Sequence, residues 1–78
     1  MLNKILFFAE LQEKIGKESV EIDVTGKTVK QVKELMDSEH GLVKVHDAMT
    51  AINEEFATSD MVIEKDDVVA FIPPVSGG

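Results

Sequence analysis

The chain has 78 residues, 44% apolar and 29% charged, which suits one small soluble domain with a modest core. With 15 acidic against 8 basic residues it carries a net charge of −7, so nucleic-acid phosphates would repel it. It has no cysteine, which excludes disulfides and thiolate chemistry, and its basic residues are all lysines, which excludes bidentate arginine capture of phosphate or carboxylate.

Residues 2–9 are rich in strand formers and read as a first strand. Alternation sets Asn3, Ile5 and Phe7 on one face and Lys4, Leu6 and Phe8 on the other. Lysine avoids a core, so Ile5 and Phe7 are expected inside, with Leu6 and Phe8 on the outer face. Residues 10–15 fit a short helix, with Leu11 and Ile15 at i,i+4 and Gly16 as its stop. Residues 19–24 alternate cleanly: Val20, Ile22 and Val24 inward, Glu21 and Asp23 outward. Thr25-Gly26 then turns the chain.

Thr28, with Gln31 three residues on, is a capping-box signature before an apolar stripe of Val29, Val32, Leu35 and Met36. The main helix is expected over 28–39, stopped by Gly41. Residues 42–47 fit neither periodicity. Residues 49–53 read as a strand, Asn53-Glu54-Glu55 as a tight reversal, and Phe56-Ala57 as a short strand beyond it. Lys65-Asp66-Asp67 is a further turn, and the apolar run 68–72 reads as a strand buried in a sheet. Pro73 and Pro74 lack the N–H donors of a ladder, so pairing is expected to stop there.

A strand, a short helix, a strand, a long helix and two or three more strands make an α+β roll. With the two end strands adjacent and parallel, this is the ubiquitin-like β-grasp arrangement. The expectation is a mixed sheet of four to five strands with one main and one short helix. Residues 1–72 would form the domain and 73–78 a flexible, extended C-terminal tail. The apolar runs fall far short of the ~20 residues of a membrane span, and Met1 leads straight into a strand pattern. A cytoplasmic protein with no membrane or nucleic-acid partner is expected.

Few side chains suggest chemistry. His40 and His46, six residues apart, do not match a metal-ligand spacing, and no metal site is expected. The carboxylate pairs Glu54/Glu55 and Asp66/Asp67 fall in exposed turns, where turn chemistry and solubility account for them. No glycine-rich run precedes a lysine at phosphate-loop spacing. The tail differs. Pro73-Pro74 favours a stiff exit from the sheet, and Gly77-Gly78 is the slimmest possible peptide, able to enter a narrow channel. The reactive group can then be the α-carboxylate of Gly78, once a separate ATP-using enzyme has made its oxygen a leaving group. Without cysteine, sulfur carried here would sit on that carbon as a thiocarboxylate. A frayed terminus is the plain alternative.

The segments FFAEL (7–11), AINEEFA (51–57) and DDVVAFIPPVSGG (66–78) resemble the MoaD family, the small sulfur-carrier subunits of molybdopterin synthase. The resemblance spans nearly the whole chain, and FIPPVSGG is its most specific element. Thiamine-type sulfur carriers and the ubiquitin-related modifier also end in Gly-Gly but generally lack the Pro-Pro-Val spacer. The family often has Gly-Asp where this chain has Asp66-Asp67, and aspartate tolerates the same turn.

That resemblance implies a cycle. A MoeB-type activating enzyme would adenylate Gly78 with ATP, and a persulfide donor would convert it to a thiocarboxylate. Pro73, Pro74, Val75, Ser76 and Gly77 would then thread into a MoaE-type large subunit of a heterotetrameric synthase. There, sulfur would pass to cyclic pyranopterin monophosphate for the molybdenum cofactor. The chain would bind no cofactor and would not be an enzyme by itself. Leu6, Phe8, Phe56 and Ile72 are the candidate partner-binding patch. A thiamine-type carrier, a ubiquitin-like protein modifier and a plain interaction module stay open as alternatives.

Overall fold

Residues 2–74 are described by the structure, a computed structural model; Met1, Val75, Ser76, Gly77 and Gly78 lie outside the described residues. Strand β1 (Asn3–Phe7) leads through helix α1 (Ala9–Ile15) to β2 (Ser19–Ile22) and helix α2 (Val29–His40). A 3-10 turn (Val43–Asp47) then precedes β3 (Met49–Ile52), β4 (Glu55–Ala57) and β5 (Val68–Ile72). Among the described residues, five strands form one sheet in the order β2-β1-β5-β3-β4. β1 and β5, far apart in sequence, pair in parallel at its centre, and the other three pairings are antiparallel. The fold is the mixed β-grasp sheet implied by the order of elements.

Strand parity builds the core. Ile5 and Phe7 of β1 lie opposite Val69 and Phe71 of β5, and all four are buried. Ile52 of β3 joins them, and Val29, Val32 and Met36 of α2 belong to the same buried cluster. The Phe7 and Phe71 rings stack with centroids 6.3 Å apart and planes at 29°. Each such side chain removed from water contributes about 1.5–3 kcal/mol, so α2 is held by its apolar stripe. Leu35 is the partial exception, packing at the margin of the cluster.

Local chemistry sets the ends of the elements. The Thr28 hydroxyl accepts the Gln31 N–H at 3.2 Å, and the Gln31 side chain accepts the Thr28 N–H at 2.9 Å. This capping box starts α2 at Val29, and Gly41, with φ +64, closes it one residue later than its stripe predicts. β1 stops at Phe7 rather than at residue 9, because Phe8 is the N-cap of α1 and Ala9 bends sharply at φ +51. α1 therefore starts at Ala9, one residue earlier than expected. β2 stops at Ile22 rather than 24. There Asp23 Oδ1 accepts the Thr25 N–H at 3.0 Å, and the Val24 N–H donates to Asn3 Oδ1 at 3.0 Å. The unassigned 42–47 stretch is mostly the 3-10 turn, which buries Val45.

Asn3, which strand alternation placed on the core face, is 1% exposed and has all of its side-chain hydrogen-bonding capacity used. Its Nδ2 donates to the Glu64 and Asp67 carbonyls at 3.1 and 3.0 Å, and its Oδ1 accepts from Val24 N and Thr25 Oγ1. One amide thus ties β1 to the segment after β2 and to the turn before β5. No helix among the described residues is long and apolar enough to cross a membrane.

Two stability predictions follow from these features. Asn3→Leu should lower the unfolding free energy by about 3 kcal/mol, because it leaves the buried Val24 N–H and two partly buried carbonyls unmatched. Urea unfolding followed by circular dichroism measures this. At the β3–β4 reversal both Asn53 (φ +51) and Glu54 (φ +71) are left-handed, a pattern in which glycine is favoured at the second position. Glu54→Gly should therefore raise stability by about 0.5 kcal/mol in the same assay, relief of strain exceeding the added chain entropy.

Candidate functional site

The face of the sheet opposite α2 carries the residues that alternate with the core. The pairing register places Leu6 (β1) beside Ala70 (β5), Ala70 opposite Ala51 (β3), and Ala51 opposite Phe56 (β4). At this level β5 and β3 present only the methyl groups of Ala70 and Ala51, between Leu6 on one side and Phe56 on the other. The result is a groove of about 550 Å³, with Leu6 and Phe8 along the β1 side and Phe56 along the β4 side. Val68 and Ile72, at the two ends of β5, complete its apolar lining. Asn53 and Glu54 of the reversal add the polar part.

All four residues singled out as an apolar patch, Leu6, Phe8, Phe56 and Ile72, therefore line one groove. Phe56 is 73% exposed and Phe8 45%, while Leu6 and Ile72 are half-buried. The bend at Ala9 separates neighbouring side chains: Phe8 stays on the outer face and Leu11 turns into the core. Sequence reasoning missed the alanine floor of Ala51 and Ala70. Small residues give no hydropathy signal. A continuous apolar run such as 68–72 also hides which residues face out until its partners are known.

The two ends of the groove differ. At the Val68 end, Asp67 accepts from Asn53 Nδ2 and from the Glu64 N–H, both at 2.8 Å. The Val68 N–H donates to Asn53 Oδ1 at 2.9 Å, locking the reversal against the start of β5. Glu54, Glu55 and Asp66 are exposed beside these residues in the chain, so this end is acidic. At the Ile72 end β5 stops, Pro73 is buried and Pro74 is exposed. The chain leaves the sheet from the edge of the groove. Val75, Ser76, Gly77 and Gly78, the rest of the sequence-defined tail, lie outside the described residues.

The remaining polar groups lie apart from the groove. His46 Nε2 sits 3.0 Å from Asp37 Oδ2 on the surface, and His40 is exposed at the end of α2. No cluster of three or more potential metal ligands occurs among the described residues. Lys33 donates to the Ala48 carbonyl at 2.7 Å on the helix side. Burial lowers the pKa of its ammonium group below the usual lysine value, with nearby Asp47 opposing the shift.

Across residues 5–78 the chain matches the ThiS family. It belongs to that family. It is 34% identical to the molybdopterin synthase sulfur carrier subunit of Dictyostelium discoideum, over 96% of this chain and 94% of the relative. Identity to the Escherichia coli subunit of the same name is 32%, covering 96% of this chain and 98% of that one. Among solved structures, SAMP1 from Haloferax volcanii superposes with a TM-score of 0.82 at 25% identity, covering both chains fully. A protein–protein complex of subunits 1 and 2 of the molybdopterin-converting factor from Helicobacter pylori contains a chain with a TM-score of 0.70. That likeness is at 22% identity and covers both chains fully.

In this ThiS-family chain the two faces of one sheet should respond differently to truncation. Phe56→Ser should change the unfolding free energy by no more than about 0.5 kcal/mol, since the ring is already in water. Phe71→Ala, two strand pairings away and on the core face, should cost about 3–5 kcal/mol. Chemical denaturation of both variants checks the assignment of faces.

Proposed function

We propose that this chain is the sulfur-carrier subunit of a molybdopterin synthase and that the α-carboxylate of Gly78 carries the sulfur. The observation that supports it best is near full-length similarity to molybdopterin synthase sulfur carrier subunits, 34% and 32% identical. In this reading the carboxylate attacks the α-phosphate of ATP on a separate adenylating enzyme, releasing pyrophosphate and forming an acyl-adenylate. A persulfide sulfur then attacks the carbonyl carbon and displaces AMP. Thiol cleavage of the S–S bond leaves the thiocarboxylate. Delivery of that sulfur to a cyclic pyranopterin monophosphate, followed by hydrolysis, returns Gly78 to a carboxylate.

The chain's own contribution is delivery. Gly77 and Gly78 lack side chains, so the carbonyl carbon can be approached closely inside a partner's site. Pro73, Pro74, Val75 and Ser76 carry that tip away from the domain as an extended arm. In this reading the groove of Leu6, Phe8, Phe56 and Ile72 docks the large subunit. The scheme requires no cofactor on this chain, which is a carrier and not a catalyst. The cytoplasm, where ATP and persulfide donors meet, is the compartment it implies.

A second reading has one observation in its favour: the small archaeal modifier protein of Haloferax volcanii, SAMP1, shares the fold at a TM-score of 0.82. A modifier would join Gly78 to a lysine of another protein. Two measurements together separate the readings. Intact-mass analysis after co-expression with the adenylating enzyme and a persulfide donor should show one oxygen replaced by sulfur at the C-terminus. Deleting Gly78, or adding one residue beyond it, should abolish this change and leave the urea midpoint unaltered. An unmodified mass where a control carrier is charged would sink the proposal. Conjugates that survive reducing agent in a denaturing gel would favour the modifier.

A further inference from the structure

The groove has more specific content than an apolar patch. Its floor is the Ala51–Ala70 pair, a register match that leaves the centre of the sheet low. Its acidic end includes Glu54, which lines the groove although φ is +71, where a glycine would be unstrained. Strain kept at a surface position points to use of that side chain. Glu55 follows it in the chain, its other neighbour Asn53 holds Asp67 beside Asp66, and the whole protein carries −7. A second copy would bring the same negative charge to the contact, so charge disfavours self-association and favours a basic partner.

We infer that the groove accepts an apolar ridge of the partner over Ala51 and Ala70, beside a basic residue that meets Glu54. This rests on the carrier reading above and names the chemistry by which the docking partner is chosen. The alanine floor selects by shape, because any larger residue there would fill the space the ridge needs. Glu54 selects by sign. It speeds encounter with a basic surface and penalises an acidic one, and both effects weaken as salt rises. Phe56 and Phe8, on either side, exclude water from the contact once it forms.

The test is calorimetric titration of the full-length chain with the large molybdopterin synthase subunit of the same organism, at low and at physiological salt. Ala70→Leu should weaken binding at least roughly tenfold, because a filled floor forfeits the packed centre of the contact. Glu54→Lys should also weaken it and flatten or reverse its salt dependence. Glu54→Gly should bind less tightly even though it unfolds at higher urea. Should Ala70→Leu fail to fold, the two Glu54 variants, in an exposed turn, carry the test. If the unsubstituted chain binds and every variant binds equally well, the inference is wrong while the carrier reading stands. No binding by the unsubstituted chain, with Gly78 left uncharged by the adenylating enzyme, would instead remove the carrier reading. Sedimentation equilibrium showing a dimer that Ala70→Leu dissociates would assign the groove to a second copy and overturn the inference.

Discussion

The parallel pairing of β1 with β5 is the constraint on which the rest of the molecule depends. It joins strands from opposite ends of the domain, so forming it closes a loop of nearly the whole chain at an entropic cost. Once formed, it stacks Phe7 on Phe71 in the core and sets Leu6 beside Ala70 on the outer face. It also puts the end of β5 beside the start of α1. Pro73 then leaves the sheet from the rim of the groove rather than from a remote corner.

That central pairing needs help at its start, because a parallel ladder has no hairpin to fix its register. Asn3 supplies it. Sitting where alternation calls for an apolar side chain, it reaches the Glu64 and Asp67 carbonyls ahead of β5 and the Val24 N–H beyond β2. A buried amide with every group matched costs little, whereas a partly matched one is expensive. The alternative registers of β1 against β5 would leave it partly matched. The same turn positions Asp67 to hold Asn53, so the clasp under β1 and the acidic end of the groove share a segment.

The two faces of the sheet differ in what they bury. The inner face gathers large apolar side chains against α2, and the outer face interposes two alanines between a leucine and a phenylalanine. Burial on the first face stabilises the domain without the second. The outer apolar area is left exposed at little cost to folding, with Glu54 at its acidic end. The backbone bends at Ala9 and Glu54 lie at opposite sides of this face. Each sets the direction of a side chain that lines the groove, Phe8 in one case and Glu54 in the other.

Much of this was legible from residue order. The capping box at Thr28 and Gln31, the stripe of α2, and the inward set Ile5 and Phe7 follow from local periodicity and side-chain chemistry. They need only neighbours within one turn or one pleat. Strand ends were less legible, because β1 and β2 stop where Ala9 bends and where Asn3 captures a distant N–H. The resemblance of the C-terminal segment also came from sequence alone, since a motif is read from residue identity. What only the tertiary structure decided is the register. Ala51 and Ala70 are unremarkable alanines nineteen positions apart until β3 and β5 pair them, and only then do Leu6, Phe8, Phe56 and Ile72 surround a common space. A groove is a property of contacts between strands, and the pairing that creates it is set by long-range burial, which no local window of sequence contains.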